Sequence, residues 1–77
     1  MIKVLFFAEL QERIGQSTLD ISVGTTNVLE LKQQLERDYP SLNLRKVMTA
    51  VNEEYASDGD NVNTGDTVAF IPPVSGG

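Results

Sequence analysis

The apolar positions fall into two periods along the chain. Residues 2–7 (IKVLFF) are almost wholly apolar, broken only by Lys3. A β-branched and aromatic run of this length predicts a strand buried on both faces, with Ile2, Val4 and Phe6 on one side and Lys3, Leu5 and Phe7 on the other. A single helix covers only one face of a sheet, so the second face needs its own explanation. Glu9–Ile14 predicts one or two helical turns, with Leu10 and Ile14 four apart and Gly15 where a left-handed cap belongs. Thr18–Val23 alternates, which predicts a half-exposed strand. Asn27–Tyr39 predicts the main helix: Asn27 is an N-cap with Glu30 three residues on, and Val28, Leu31, Leu35 and Tyr39 form one apolar stripe. Pro40 stops it, because the residue before proline avoids helical angles.

Beyond the helix, Ser41–Arg45 predicts a polar connector with Leu42 and Leu44 tucked beneath it. Val47–Val51 returns to strand character, Asn52–Glu54 predicts a turn, and Tyr55–Ala56 at most a short strand. Ser57–Asn61 predicts a loop, Asn63–Asp66 a tight turn, and Thr67–Ile71 the last strand, with Val68 and Phe70 on one face and Ala69 and Ile71 on the other. One main helix against a mixed sheet of four to five strands is a two-layer α+β domain. The first and last strands are the most apolar and are expected side by side at its centre, which is the β-grasp, or ubiquitin-like, arrangement. The domain is expected over residues 1–71 and an extended tail over 72–77.

Totals narrow the chemistry. The 77 residues suffice for one domain and one modest core. The net charge of −5 argues against nucleic acid, which demands clustered Lys and Arg, and against anionic membrane surfaces. Cysteine and histidine are both absent, which removes disulfides, side-chain thiolates, the familiar catalytic pairs and most zinc sites. Asp58, Asp60 and Asp66 lack the spacing of a calcium loop, so no metal site is expected, and Asp66 reads as a turn residue. No apolar run reaches the ~20 residues of a membrane span, and the start lacks a signal-peptide pattern, so cytoplasm is the expected compartment.

The tail AFIPPVSGG carries the candidate chemistry. Pro72 and Pro73 lack amide donors, so the last strand cannot extend its ladder beyond Ile71, and two prolines favour a stiff, extended conformation. Val74, Ser75, Gly76 and Gly77 span roughly 13–14 Å when extended, enough to enter another protein's pocket. Gly76 and Gly77 pass a narrow channel without a Cβ to obstruct them. The group expected at the end is the Gly77 carboxylate, a reactive group that can be presented at a distance. A carrier protein needs such an end; a hydrolase or transferase with a side-chain nucleophile does not.

The opening IKVLFFAELQERIG, the helix NVLELKQQL, the strand VMTAVN and the closing TGDTVAFIPPVSGG together resemble the ubiquitin-like sulfur carriers that serve as small subunits of molybdopterin synthase. The resemblance spans nearly the whole chain, and PPV, a small residue and Gly-Gly are its most specific part. It implies that an adenylyltransferase of the ubiquitin-activating type uses ATP to adenylate Gly77 and that a sulfur donor then makes a thiocarboxylate. The tail, Pro72 to Gly76, would insert into the synthase large subunit and deliver sulfur to cyclic pyranopterin monophosphate. It implies no permanently bound cofactor, catalytic residues on the large subunit, and a heterotetramer of two small and two large subunits. Leu5, Phe7 and Ile71 would form an apolar patch leading to the tail, with Tyr55 at its rim, as the partner-binding face. The competing expectation is that the Glu9–Ile14 turn covers these residues as core. Three other readings stay open: a carrier for another pathway such as thiamine thiazole formation, a ubiquitin-like protein modifier, and a binding module with a passive tail.

Overall fold

The computed structural model describes residues 1–73; Val74, Ser75, Gly76 and Gly77 lie outside the described residues. The elements run β1 (Ile2–Phe6), α1 (Ala8–Ile14), β2 (Thr18–Ile21), β3 (Thr26–Asn27), α2 (Val28–Asp38), β4 (Met48–Val51), β5 (Glu54–Ala56), β6 (Asn61–Val62) and β7 (Thr67–Ile71). Five strands form one mixed sheet in the order β2-β1-β7-β4-β5. β1 and β7 are parallel neighbours, as expected of a β-grasp, and the other pairs are antiparallel.

The core lies on one face of this sheet. Ile2, Val4 and Phe6 of β1 and Val68 and Phe70 of β7 meet Val28, Leu31 and Leu35 of α2, all essentially closed to water. The Phe6 and Phe70 rings lie 6.3 Å apart at a tilt of 32°. Leu42 and Leu44 of the connector are buried as expected, and the Leu44 N–H donates to Glu36 Oε2 at 2.8 Å, tying that connector to α2. α2 begins as read: the Glu30 N–H donates to Asn27 Oδ1 at 2.8 Å. The reciprocal half of the capping box does not form, because Glu30 Oε2 accepts from Thr26 Oγ1 at 3.2 Å instead. α2 ends one residue early, with Tyr39 leaving helical angles ahead of Pro40.

The short helix after β1 forms as read, starting at Ala8 and closed by left-handed Gly15 (φ 83), so there are two helices among the described residues. Two details differ from the sequence reading. The first strand ends at Phe6 rather than Phe7, and the second closes at Ile21 rather than Val23. The stretch read as a loop through Asn61 contributes β6, which pairs with β3 over two residues and holds the N-terminus of α2 against the long loop. The Val28 and Leu29 N–H groups then donate to the carbonyls of Asp60 and Asp58 at 3.0 Å, so the loop carbonyls satisfy the first donors of the helix.

Candidate functional site

The second face of the sheet is not covered. α1 drops to the core side, where Leu10 is buried with Phe6 and Phe70, so the expectation that this segment covers Leu5, Phe7 and Ile71 is overturned. The cause is local. Phe7 stays extended (φ −121, ψ 155), continuing the alternation of β1 outward, and the backbone changes at the next residue: Ala8 is left-handed at φ 50, which turns the chain back beneath the sheet.

 A left-handed alanine costs of order 1 kcal/mol, a strain that the burial of Leu10 offsets.

The pairing register sets out what this face presents. One row across the sheet reads Thr18, Leu5, Ala69, Ala50, Tyr55, and the next places Met48 opposite Ile71, beside Phe7. Two alanines at the centre, walled by larger side chains, leave an open depression of about 660 Å³. Leu5, Phe7, Tyr55 and Ile71, the four residues expected at a partner surface, all line it. Phe7 is 44% exposed and Tyr55 73%, while Leu5 and Ile71 are half-buried. Met48, 46% exposed on the same face, and the Ala50–Ala69 floor were missed by the sequence reading. The segment VMTAV has apolar residues in both of its alternating sets, so its pattern alone did not say which set faced water.

A polar clasp closes one end of the depression. Asn52 and Glu53 are both left-handed (φ 51 and 71), forming the two-residue turn between β4 and β5. Asn52 Oδ1 accepts from the Thr67 N–H at 3.0 Å, and its Nδ2 donates to Asp66 Oδ1 at 3.0 Å. The Asn63 N–H donates to Asp66 Oδ2 at 2.8 Å. These donors, Asn63 first and Asn52 second, hold the Asp66 carboxyl below its usual pKa. Asp66 is thus a turn residue, as read. Asp60 accepts from the Ser57 N–H, and Asp58 pairs with Lys32 at 3.0 Å. Among the described residues no group of acidic side chains is arranged to hold a metal ion.

Pro72 and Pro73 sit on the other side of the β7 terminus, lining a second groove with α1 and the segment ahead of β4. The carboxylate proposed for Gly77, and Val74, Ser75 and Gly76 with it, lie outside the described residues. Among the described residues no helix is long and apolar enough to cross a membrane.

Comparison with known proteins adds a match to the ThiS family over residues 4–77. The chain belongs to the ThiS family. Among its relatives, the molybdopterin synthase sulfur carrier subunit of Escherichia coli is 38% identical over 81 residues, covering 100% of both chains. The protein of the same description from Arabidopsis thaliana is 41% identical over 80 residues, covering 99% of this chain and 82% of that one. Among solved structures, SAMP1 of Haloferax volcanii, a small archaeal modifier protein, superposes with a TM-score of 0.82 at 28% identity, covering 99% of this chain and 98% of that one. This ThiS-family chain is therefore a homologue of molybdopterin synthase sulfur carrier subunits, with the ubiquitin-like β-grasp fold.

Proposed function

We propose that this protein is the sulfur carrier subunit of a molybdopterin synthase, with residues 1–71 as the docking body and 72–77 as the delivery arm. The observation that carries the reading is full-length similarity to carrier subunits of that synthase, in a chain whose tail reads Pro-Pro-Val-Ser-Gly-Gly. The Gly77 carboxylate is a poor electrophile, because its charge repels nucleophiles and oxide is a poor leaving group. An adenylyltransferase overcomes this by joining the carboxylate to AMP from ATP, with release of pyrophosphate. A donor of sulfide-level sulfur displaces AMP and leaves a thiocarboxylate, a sulfur nucleophile that needs no cysteine, consistent with a chain that has none. The loaded tail enters the large subunit, its sulfur bonds to cyclic pyranopterin monophosphate, and water cleaves the acyl–sulfur bond, which leaves the sulfur on the acceptor and returns the Gly77 carboxylate. The apolar face around Leu5, Phe7, Tyr55 and Ile71 supplies the docking surface; unpartnered apolar faces of this kind mark interfaces. The acid, base and phosphate-binding groups belong to the partners.

Intact-mass measurement after co-expression with the adenylyltransferase and a sulfur donor tests this directly. The expected result is one oxygen exchanged for sulfur, mapped to Gly77, and lost when Gly77 is deleted from a still-folded chain. An unchanged mass, or sulfur transfer that survives the deletion, defeats the reading. The likeness to an archaeal modifier protein favours a second reading, in which Gly77 is joined to lysine amines of other proteins. Isopeptide-linked conjugates in place of a thiocarboxylate would decide for it.

A further inference from the structure

The groove beside Pro72 and Pro73 holds two cations, Arg13 from α1 and Lys46 from the segment ahead of β4. They are a local exception on a chain of net charge −5. The single ion pair found among the described residues joins Lys32 to Asp58, so neither Arg13 nor Lys46 is neutralised there. Glu9 also lines the groove, four residues before Arg13, yet the two do not pair. Arg13 is held in place by a different contact: its Nη1 donates to the Ser41 carbonyl at 3.3 Å. That single bond steadies the guanidinium and leaves most of its donors unused. Leu10, Val47 and the two prolines give the same groove its apolar lining.

The position matters more than the charge count. Ile71 belongs to the apolar depression on one side of the strand end, and Pro72 and Pro73 belong to the cationic groove on the other. A protein that takes hold of the tail from its root meets both surfaces. The geometry points to the groove between Arg13 and Lys46 as a second contact with the synthase large subunit, receiving an aspartate or glutamate side chain of that partner. This rests on the sulfur-carrier reading. The acidic remainder of the chain repels an acidic partner surface, so attraction confined to the tail root orients the encounter and brings the tail in first.

The test is the association rate of the carrier with the purified large subunit at low and high salt. The variants are Arg13→Glu, Lys46→Glu and the pair together. Lys46→Glu removes no intramolecular bond found among the described residues, so it guards against a folding defect in Arg13→Glu. Thermal unfolding of each variant checks that the fold persists. Arg37→Glu is the control, because Arg37 is exposed in the last turn of α2 and lines neither the groove nor the apolar depression. The double variant is expected to associate about 10-fold more slowly at low salt, with a flatter salt dependence and a smaller change in dissociation, while the control stays near the parent protein. A double variant with the parent's association rate and salt dependence overturns the acidic contact and leaves the sulfur-carrier reading standing. Absence of binding by the parent protein itself overturns that reading, and the acidic contact with it.

Discussion

Phe6 and Phe7 are chemically identical neighbours with opposite surroundings, and truncating each to alanine separates folding from docking. Phe6 is 1% exposed at the centre of the core, so Phe6→Ala is expected to cost about 3–5 kcal/mol of stability. At roughly 0.05–0.15 kcal/mol per residue, 77 residues hold about 4–12 kcal/mol in total, so this one change removes a large share of it. Phe7 is 44% exposed. Of the roughly 200 Å² its side chain can bury, about 90 Å² remains in water in the free protein. Covering that area in a complex is worth about 2.2 kcal/mol at 25 cal/mol per Å², or about 40-fold in Kd. The part already covered bounds the folding cost of Phe7→Ala at about 2.8 kcal/mol, an upper limit because the unfolded chain also buries some surface. Even at the bottom of the stability range about nine-tenths of the variant stays folded, and unfolding then lowers apparent affinity by only about 1.1-fold. Urea titration gives the folded fraction, and calorimetric titration into the large subunit gives Kd. A well-folded Phe7→Ala with the parent's Kd would remove the sheet face from the interface. A Kd loss no larger than the unfolded fraction accounts for would return Phe7 to the core.

Four other outcomes follow from the same structure. Ala69→Leu fills the floor of the depression while leaving the buried face untouched, and is expected to weaken large-subunit binding at least about 10-fold with thermal stability nearly unchanged, as overpacked complementary surfaces do. Thr49 is 4% exposed and its Oγ1 has no hydrogen-bond partner among the described residues; the near-isosteric Thr49→Val is expected to raise stability by about 1 kcal/mol in urea titration. Glu53→Gly relieves a left-handed residue in the β4–β5 turn and is expected to add roughly 0.5–1 kcal/mol, read from the thermal midpoint. The Asp66 pKa is lowered on folding, so its contribution is fully present above the unfolded value and is lost as pH falls through the folded one. Urea midpoints measured from neutral pH down to about pH 2 are therefore expected to fall less steeply in Asp66→Asn than in the parent protein.

The strands, the main helix and its cap were legible because each depends on neighbours in sequence. Asn27 caps through a bond three residues away, Gly15 and Pro40 stop helices by their own backbone limits, and IKVLFF announces a strand, although only its Ile2, Val4 and Phe6 face is covered and the expected burial of the other face does not occur. The pairing of the first strand with the last was also within reach, since the two most apolar strands belong at the centre. Other features depend on partners distant in the chain. In VMTAV the pattern did not settle the facing: Thr49 is buried against the core and Met48 stands in water, because pairing with β7 sets which alternate residues turn inward. The two-residue strands β3 and β6 are too short to carry any period and exist only because the long loop returns to α2. Ala50 and Ala69 lie nineteen positions apart, and only their register makes them one floor. Local sequence thus dictated the elements and the tail motif, whereas the shape of the apolar face and the cations beside the tail root came from long-range pairing, which no short window of residues contains.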